Sequence, residues 1–158
     1  MDPADSLGYF NDPGADRQVF RVADWAFNGD LGMLDAEGYV HILGRSKDII
    51  IQGGQNIVPT EIEDVLMTHP KVANAAVIGM PDRRLGETVC AYVVARDGAR
   101  PPTLEDLVGF LREQKLAAYK LPRRLEIVPS FPTHKGDKIL KSELKADITA
   151  KLESESRV

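Results

Sequence analysis

The sequence predicts an α+β fold: a short, mainly antiparallel sheet flanked by helices, preceded by a β-hairpin. Three observations carry that expectation. From residue 60 onward the periodicity reads α-β-β-α-β-loop-α, the order of a small sheet with helices laid on it. VANAAVIGM (72–80) and ETVCAYVVA (87–95) are apolar runs of strand length. Ahead of them lies a Gly-rich front part with turn chemistry and short alternating runs.

Each element has its own local reason. Residues 1–18 are rich in Asp, Pro and Gly, with Tyr9 and Phe10 as apolar anchors, and read as a loop or tail. MLDAEGYVHILGR (33–45) reads as a hairpin turning at Ala36-Glu37-Gly38. Ile49, Ile50 and Ile51 give strand propensity that Gly53-Gly54 breaks. TEIEDVLMTHP (60–70) reads as a helix with a capping box from Thr60 to Glu63 and an apolar face of Ile62, Val65 and Leu66. PDRRLG separates the two long strands. TLEDLVGFLREQ (103–114) is a second amphipathic helix, and RLEIV (124–128) a further strand. FPTHKGDKILKSEL (131–144) carries Lys135 and Lys138 on a loop. SELKADITAKL (142–152) is a final helix with Ser142 as N-cap, and ESESRV (153–158) is a polar tail expected to fray. A break in character near 44–48 divides the chain into 1–46, 47–152 and the tail.

Composition narrows the function classes. At 158 residues and 43% hydrophobic, the chain can bury a core of useful size in about one domain. Its net charge of −4 argues against a general nucleic-acid surface. The lone cysteine, Cys90, excludes an internal disulfide and favours a reduced, cytoplasmic setting. It sits in an apolar run, so a core role is favoured over a nucleophile. No apolar stretch approaches the ~18 residues that span a membrane, and the N-terminus lacks the layout of a signal peptide. His41, His69 and His134 have no metal-ligand spacing. There is no P-loop, no GxGxxG and no nucleophile elbow.

Four stretches remain as candidates, each with an ordinary alternative. Asp30, in NGDLG, is placed to accept two hydroxyl hydrogen bonds, as a ribose offers; an ordinary turn aspartate is the reading that local sequence alone favours. Arg45, in GRSKD, can reach a polyol or phosphate with its planar fork, or join a surface ion pair. Gly53 and Gly54 let a backbone approach a ligand closely, or simply turn a hairpin. Lys138 can be delivered on a loop to a developing anion, or belong to a solvated basic loop.

Taken in order, NGDLGMLDAEGYVHILGRSKDIIIQGGQNIVPTEIEDVL, HPKVANAAVIGMPDRRLGE and AAYKLPRRLEIVPSFPTHKGDKILKSEL resemble the C-terminal part of the AMP-forming adenylating enzymes. These are the acyl- and aryl-CoA synthetases and their relatives. The stretch LREQKLAAYKLPRRLEIVPSFP is most similar to aryl-acid ligases of the 2,3-dihydroxybenzoate–AMP ligase type. The resemblance implies a mobile C-terminal domain, preceded by a hairpin remnant of a large N-terminal domain. It implies a reaction in which a carboxylic acid and Mg-ATP give acyl-adenylate, and CoA or a carrier-protein pantetheine then takes the acyl group. It implies that Asp30 grips the AMP ribose and Arg45 contacts the nucleotide. Lys47 falls at the hinge, Gly53 and Gly54 enter the thioester-forming site, and Lys138 bridges carboxylate and phosphate as the catalytic lysine.

Departures accompany the resemblance. Asp137 stands where the family has glycine before the lysine, Asn28 replaces a threonine, and Gln55-Asn56 matches acyl-CoA synthetases better than dihydroxybenzoate ligases. CoA is therefore favoured over a carrier protein. The expectation is a fragment lacking the large domain and inactive alone. For residues 1–18 the alternatives are disorder or a swap onto a neighbouring copy, hence self-association. The competing readings are a non-catalytic binding module of this ancestry and an unrelated α+β ligand-binding domain.

Overall fold

The computed structural model of the chain describes residues 9–20, 26–96, 100–134 and 138–156. Two compact units emerge, Met1–Lys47 and Asp48–Val158. In the first, α1 (Pro13–Val19) forms where a loop or tail was expected. The Asp12 side chain caps it by accepting from the amides of Gly14 and Ala15, and Pro13 pre-sets the first turn. The remainder is an antiparallel ribbon of β1 (Asp30–Leu34) and β2 (Val40–Arg45). The Asp35 carboxylate closes its turn by accepting from the amides of Glu37 and Tyr39.

The second unit is a five-stranded sheet between helices. β3 (Ile50–Gln52) and β4 (Gln55–Ile57) form a tight hairpin, and β5 (Val72–Asp82) and β6 (Gly86–Ala95) form the long central one. β7 (Arg124–Ile127) adds parallel to β6, so the sheet is mainly but not wholly antiparallel. Side chains on β5 and β6 alternate between two apolar layers. Val77, Val89 and Ala91 face α2 (Pro59–Met67) and α3 (Leu104–Glu113), meeting Ile62, Leu66, Leu107 and Leu111. Ile78, Cys90 and Tyr92 face Leu144 and Ile148 of α4 (Lys141–Glu155). A sheet covered on both faces explains why these strands read as continuous apolar runs.

Three local expectations are corrected. The capping box at Thr60 does not form: Val58 is the N-cap and no side chain caps α2. Glu63 instead turns inward, accepting from the Val77 amide at 2.6 Å and from the Lys141 ammonium at 2.7 Å. Ser142 is not the N-cap of α4, whose helix begins at Lys141 behind Leu140. There the Leu140 amide donates to Pro132, and the Glu63 contact draws Lys141 into the first turn. Finally, residues 153–155 of the expected frayed tail are helical. Arg124 grips the Glu155 carboxylate with two N–H donors, at 2.6 and 2.8 Å, and holds that end down.

Candidate active-site elements

In the first unit, the β1–β2 register places Asp30 directly opposite Arg45. Arg45 Nε lies 3.6 Å from Asp30 Oδ1, an ion pair too long for a direct hydrogen bond. The aspartate therefore keeps acceptor capacity on a partly exposed carboxylate. Its backbone is fixed from both sides. Asn28 Oδ1 accepts from the Asp30 amide at 2.9 Å. Ser46 donates to the Gly29 carbonyl through both its amide and its hydroxyl, at 2.8 and 3.0 Å. A charge pair on a braced turn can present an acceptor and a fork of donors to one polyol.

In the second unit, Gly53 and Gly54 form the two-residue turn of the β3–β4 hairpin, between paired Gln52 and Gln55. Both have positive φ, +56° and +83°. A primed two-residue turn requires that conformation at both central positions, which glycine supplies without strain. The Gly53 amide donates to the Leu85 carbonyl at 2.8 Å, tying this turn to the β5–β6 turn. There, Asp82 accepts from the amides of Arg84 and Leu85, which hold its carboxyl below the usual range.

Two described segments of the lysine-bearing stretch are strands. β8 (Thr133–His134) and β9 (Lys138–Ile139) pair antiparallel, with His134 opposite Lys138. Lys138 is exposed, and its ammonium is in no ion pair with a described residue. The base of the ribbon is anchored, because Phe131 and Ile139 pack on the α4-facing core and Leu140 bonds Pro132. A cation thus projects from a short ribbon with a fixed root. Lys135 and Asp137 lie outside the described residues. Lys47 sits in a single 3₁₀ turn, Ser46–Asp48, at the junction of the two units.

Two side chains that matter here escape local reading. Gln52 is buried, and both ends of its amide are engaged: Oε1 accepts from Thr88 Oγ1 (2.8 Å) and the Val89 amide (3.3 Å), and Nε2 donates to the Tyr119 carbonyl (2.9 Å). Strand alternation was the available signal, since Ile50 points inward, Ile51 outward and Gln52 inward again. Glu87 is the other; its carboxylate accepts from the Ile51 amide across the sheet at 3.0 Å. Cys90 is buried, and burial above all pushes its thiol up to about 12, which makes it an unreactive core residue. Among the described residues, no group of three or more His, Cys, Asp or Glu side chains could hold a metal ion.

Comparison with known proteins gives one consistent result. Residues 61–138 match the AMP-binding enzyme C-terminal domain. The chain is 40% identical over 146 residues to the medium-chain fatty-acid–CoA ligase of Escherichia coli K12, covering 92% of this chain and 26% of that one. It is 43% identical over 138 residues to a 2-succinylbenzoate–CoA ligase of Bacillus cereus, covering 87% and 28%. The structure of o-succinylbenzoate CoA synthetase from Bacillus subtilis, in complex with its acyl-adenylate intermediate, superposes with a TM-score of 0.80 at 38% identity, covering 88% and 28%. The chain therefore spans about a quarter of the length of these relatives. Within that span, it belongs to the AMP-binding enzymes and is built as their C-terminal domain.

Proposed function

We propose that this chain serves as the mobile C-terminal part of an ATP-dependent, AMP-forming acid–CoA ligase. In the first half-reaction, a carboxylate oxygen attacks the α-phosphorus of Mg-ATP. The P–O bond to the β-phosphate breaks, and pyrophosphate leaves. In the second, the sulfur of CoA attacks the acyl carbon, AMP leaves, and the thiol proton passes to solvent. The observation that carries the reading is Lys138: an exposed ammonium without an ion-pair partner among the described residues, on a ribbon rooted in the core. A carboxylate and a triphosphate repel one another, and a cation between them offsets that repulsion and stabilises charge developing at the α-phosphate. Asp30 and Arg45 hold the nucleotide, and the Gly53–Gly54 turn meets the pantetheine.

The β1–β2 ribbon supports a setting in a larger enzyme. Met33, Leu34, Tyr39, Val40 and Ile42 are all more than half exposed, an apolar surface suited to being covered by further polypeptide. Among acids, the 111–132 stretch favours an aryl acid of the dihydroxybenzoate kind, while Gln55-Asn56 favours CoA over a carrier protein as acceptor. Lys138→Ala in the complete ligase tests the reading. ATP–pyrophosphate exchange should fall on the order of 10²–10³-fold, while thioester formation from supplied acyl-adenylate persists. Undiminished exchange would overturn it.

A further inference from the structure

The β3–β4 hairpin has little ladder to hold it. β3 is three residues long and pairs with β6 at a single position, Gln52 opposite Gly86. What fixes it comes mainly from side chains. Glu87 reaches across from β6 and accepts from the Ile51 amide. Its path runs over Gly79 of β5, where a Cβ would lie only 2.6 Å from the Glu87 carboxyl group. The neighbouring strand is therefore cut back to let that carboxylate pass. One residue further along, Gln52 ties Thr88, Val89 and Tyr119 together. The next residue is Gly53, bonded to Leu85. Three consecutive residues, 51 to 53, are thus each clamped by a different contact, and the last belongs to the glycine turn.

We propose that Gln52 and Glu87 are positioning residues for thiol transfer, fixing the Gly53–Gly54 turn where the acceptor thiol passes, and that Gly79 exists to admit Glu87. This rests on the ligase reading above. A turn misplaced by about 1 Å can cost on the order of 10²-fold in the step it serves. The effect falls on one half-reaction, because Lys138 is carried by a separate ribbon.

The test uses Glu87→Ala, Gly79→Ala and Gln52→Ala in the complete ligase, with Glu87→Gln as the variant that keeps an acceptor oxygen. Thioester formation from supplied acyl-adenylate and CoA is expected to slow by roughly tenfold or more, with ATP–pyrophosphate exchange essentially unchanged and Glu87→Gln restored toward wild type. Equal losses in both half-reactions, or no loss in either, would overturn the proposal. Amide hydrogen exchange on the 158-residue chain gives a readout independent of activity. Exchange should quicken at Ile51 and Gly53 in Glu87→Ala, with the amides of β5 and β6 unaffected; unchanged exchange at both would refute the clamp. If the wild-type ligase performs neither half-reaction, the ligase reading fails, and amide exchange still decides whether Glu87 holds the turn.

Discussion

The Lys141 ammonium lies 2.7 Å from the Glu63 carboxylate, joining the first turn of α4 to the middle of α2. Their side chains are only 19% and 13% exposed, so this pair is shielded from solvent in a way most surface pairs are not. Glu63 also accepts from the Val77 amide, which fixes its orientation. Lys141→Met would leave the carboxylate largely desolvated with one charged partner gone. The expected loss is about 1–3 kcal/mol of stability, read as a lower urea midpoint. Lys71→Met is the control. Its partner Asp106 is 2.9 Å away, but both side chains are about two-fifths exposed, so the midpoint should move less. Equal shifts would contradict the distinction.

Asp30 should matter for nucleotide affinity and little for folding. Its carboxylate is partly exposed and, among the described residues, makes only the long contact to Arg45. In the complete ligase, Asp30→Ala is expected to weaken ATP binding by roughly 10–100-fold, the loss of one or two hydrogen bonds to a charged acceptor. The urea midpoint should stay near wild type. Calorimetric titration with ATP beside a denaturation curve separates the two outcomes.

Cys90 should resist alkylation until the fold opens. Its thiol is buried in the layer facing α4 and titrates near 12, so almost no thiolate exists at pH 8. Iodoacetamide labelling, followed by mass, is expected to be negligible in the native chain and rapid in urea. Rapid native labelling would mean that β6 opens locally.

Acid should destabilise the second unit in two stages. His69 is nearly buried, edge-on to Phe110 at 4.8 Å between ring centroids, and its Nδ1 accepts from the Lys71 amide. Burial lowers its pKa below the ordinary value, with the Lys71 charge adding to the effect. The unfolded state therefore takes up this proton first, and stability declines as pH falls through about 6.5. The second stage involves lowered carboxylates, Asp82 and Asp106 among them, and three that gather at the α4 edge. Asp147 is held low by its bonds to Lys151 and Tyr92, and Glu155 by Arg124. Burial pushes Glu126 up, but Lys151 and Arg124 together outweigh it. Each contributes stability that is present above the ordinary carboxylate range and lost as pH falls through the lowered folded value. Urea midpoints between pH 8 and 3 should show both declines. His69→Asn should remove the upper one, and Glu126→Gln should flatten the lower.

How much of this was legible in the sequence follows from the range of the forces involved. The long strands, the amphipathic α3 and the β1–β2 hairpin are written in local pattern and turn chemistry, whereas the Thr103–Asp106 capping box of α3 went unread. Asp30 and Arg45 were readable as separate motifs, but only the ribbon register puts them opposite one another. Glu63 looked like a capping residue because its rival partner, Lys141, is far away along the chain. The parallel placement of β7 and the Glu155 clasp are equally non-local. β8 and β9 have two residues each, too few for any periodicity to register.

Among the described residues, and its two chain neighbours aside, nothing lies within 4 Å of where a Cβ on Gly54 would stand. Room is therefore not what selects glycine there; handedness is. A D-alanine introduced at this position by semisynthesis would sit comfortably in a backbone that its mirror image resists. The summit of this hairpin could thus carry a methyl group, or a spectroscopic label built on a D-residue, directly beside the path proposed for the incoming sulfur.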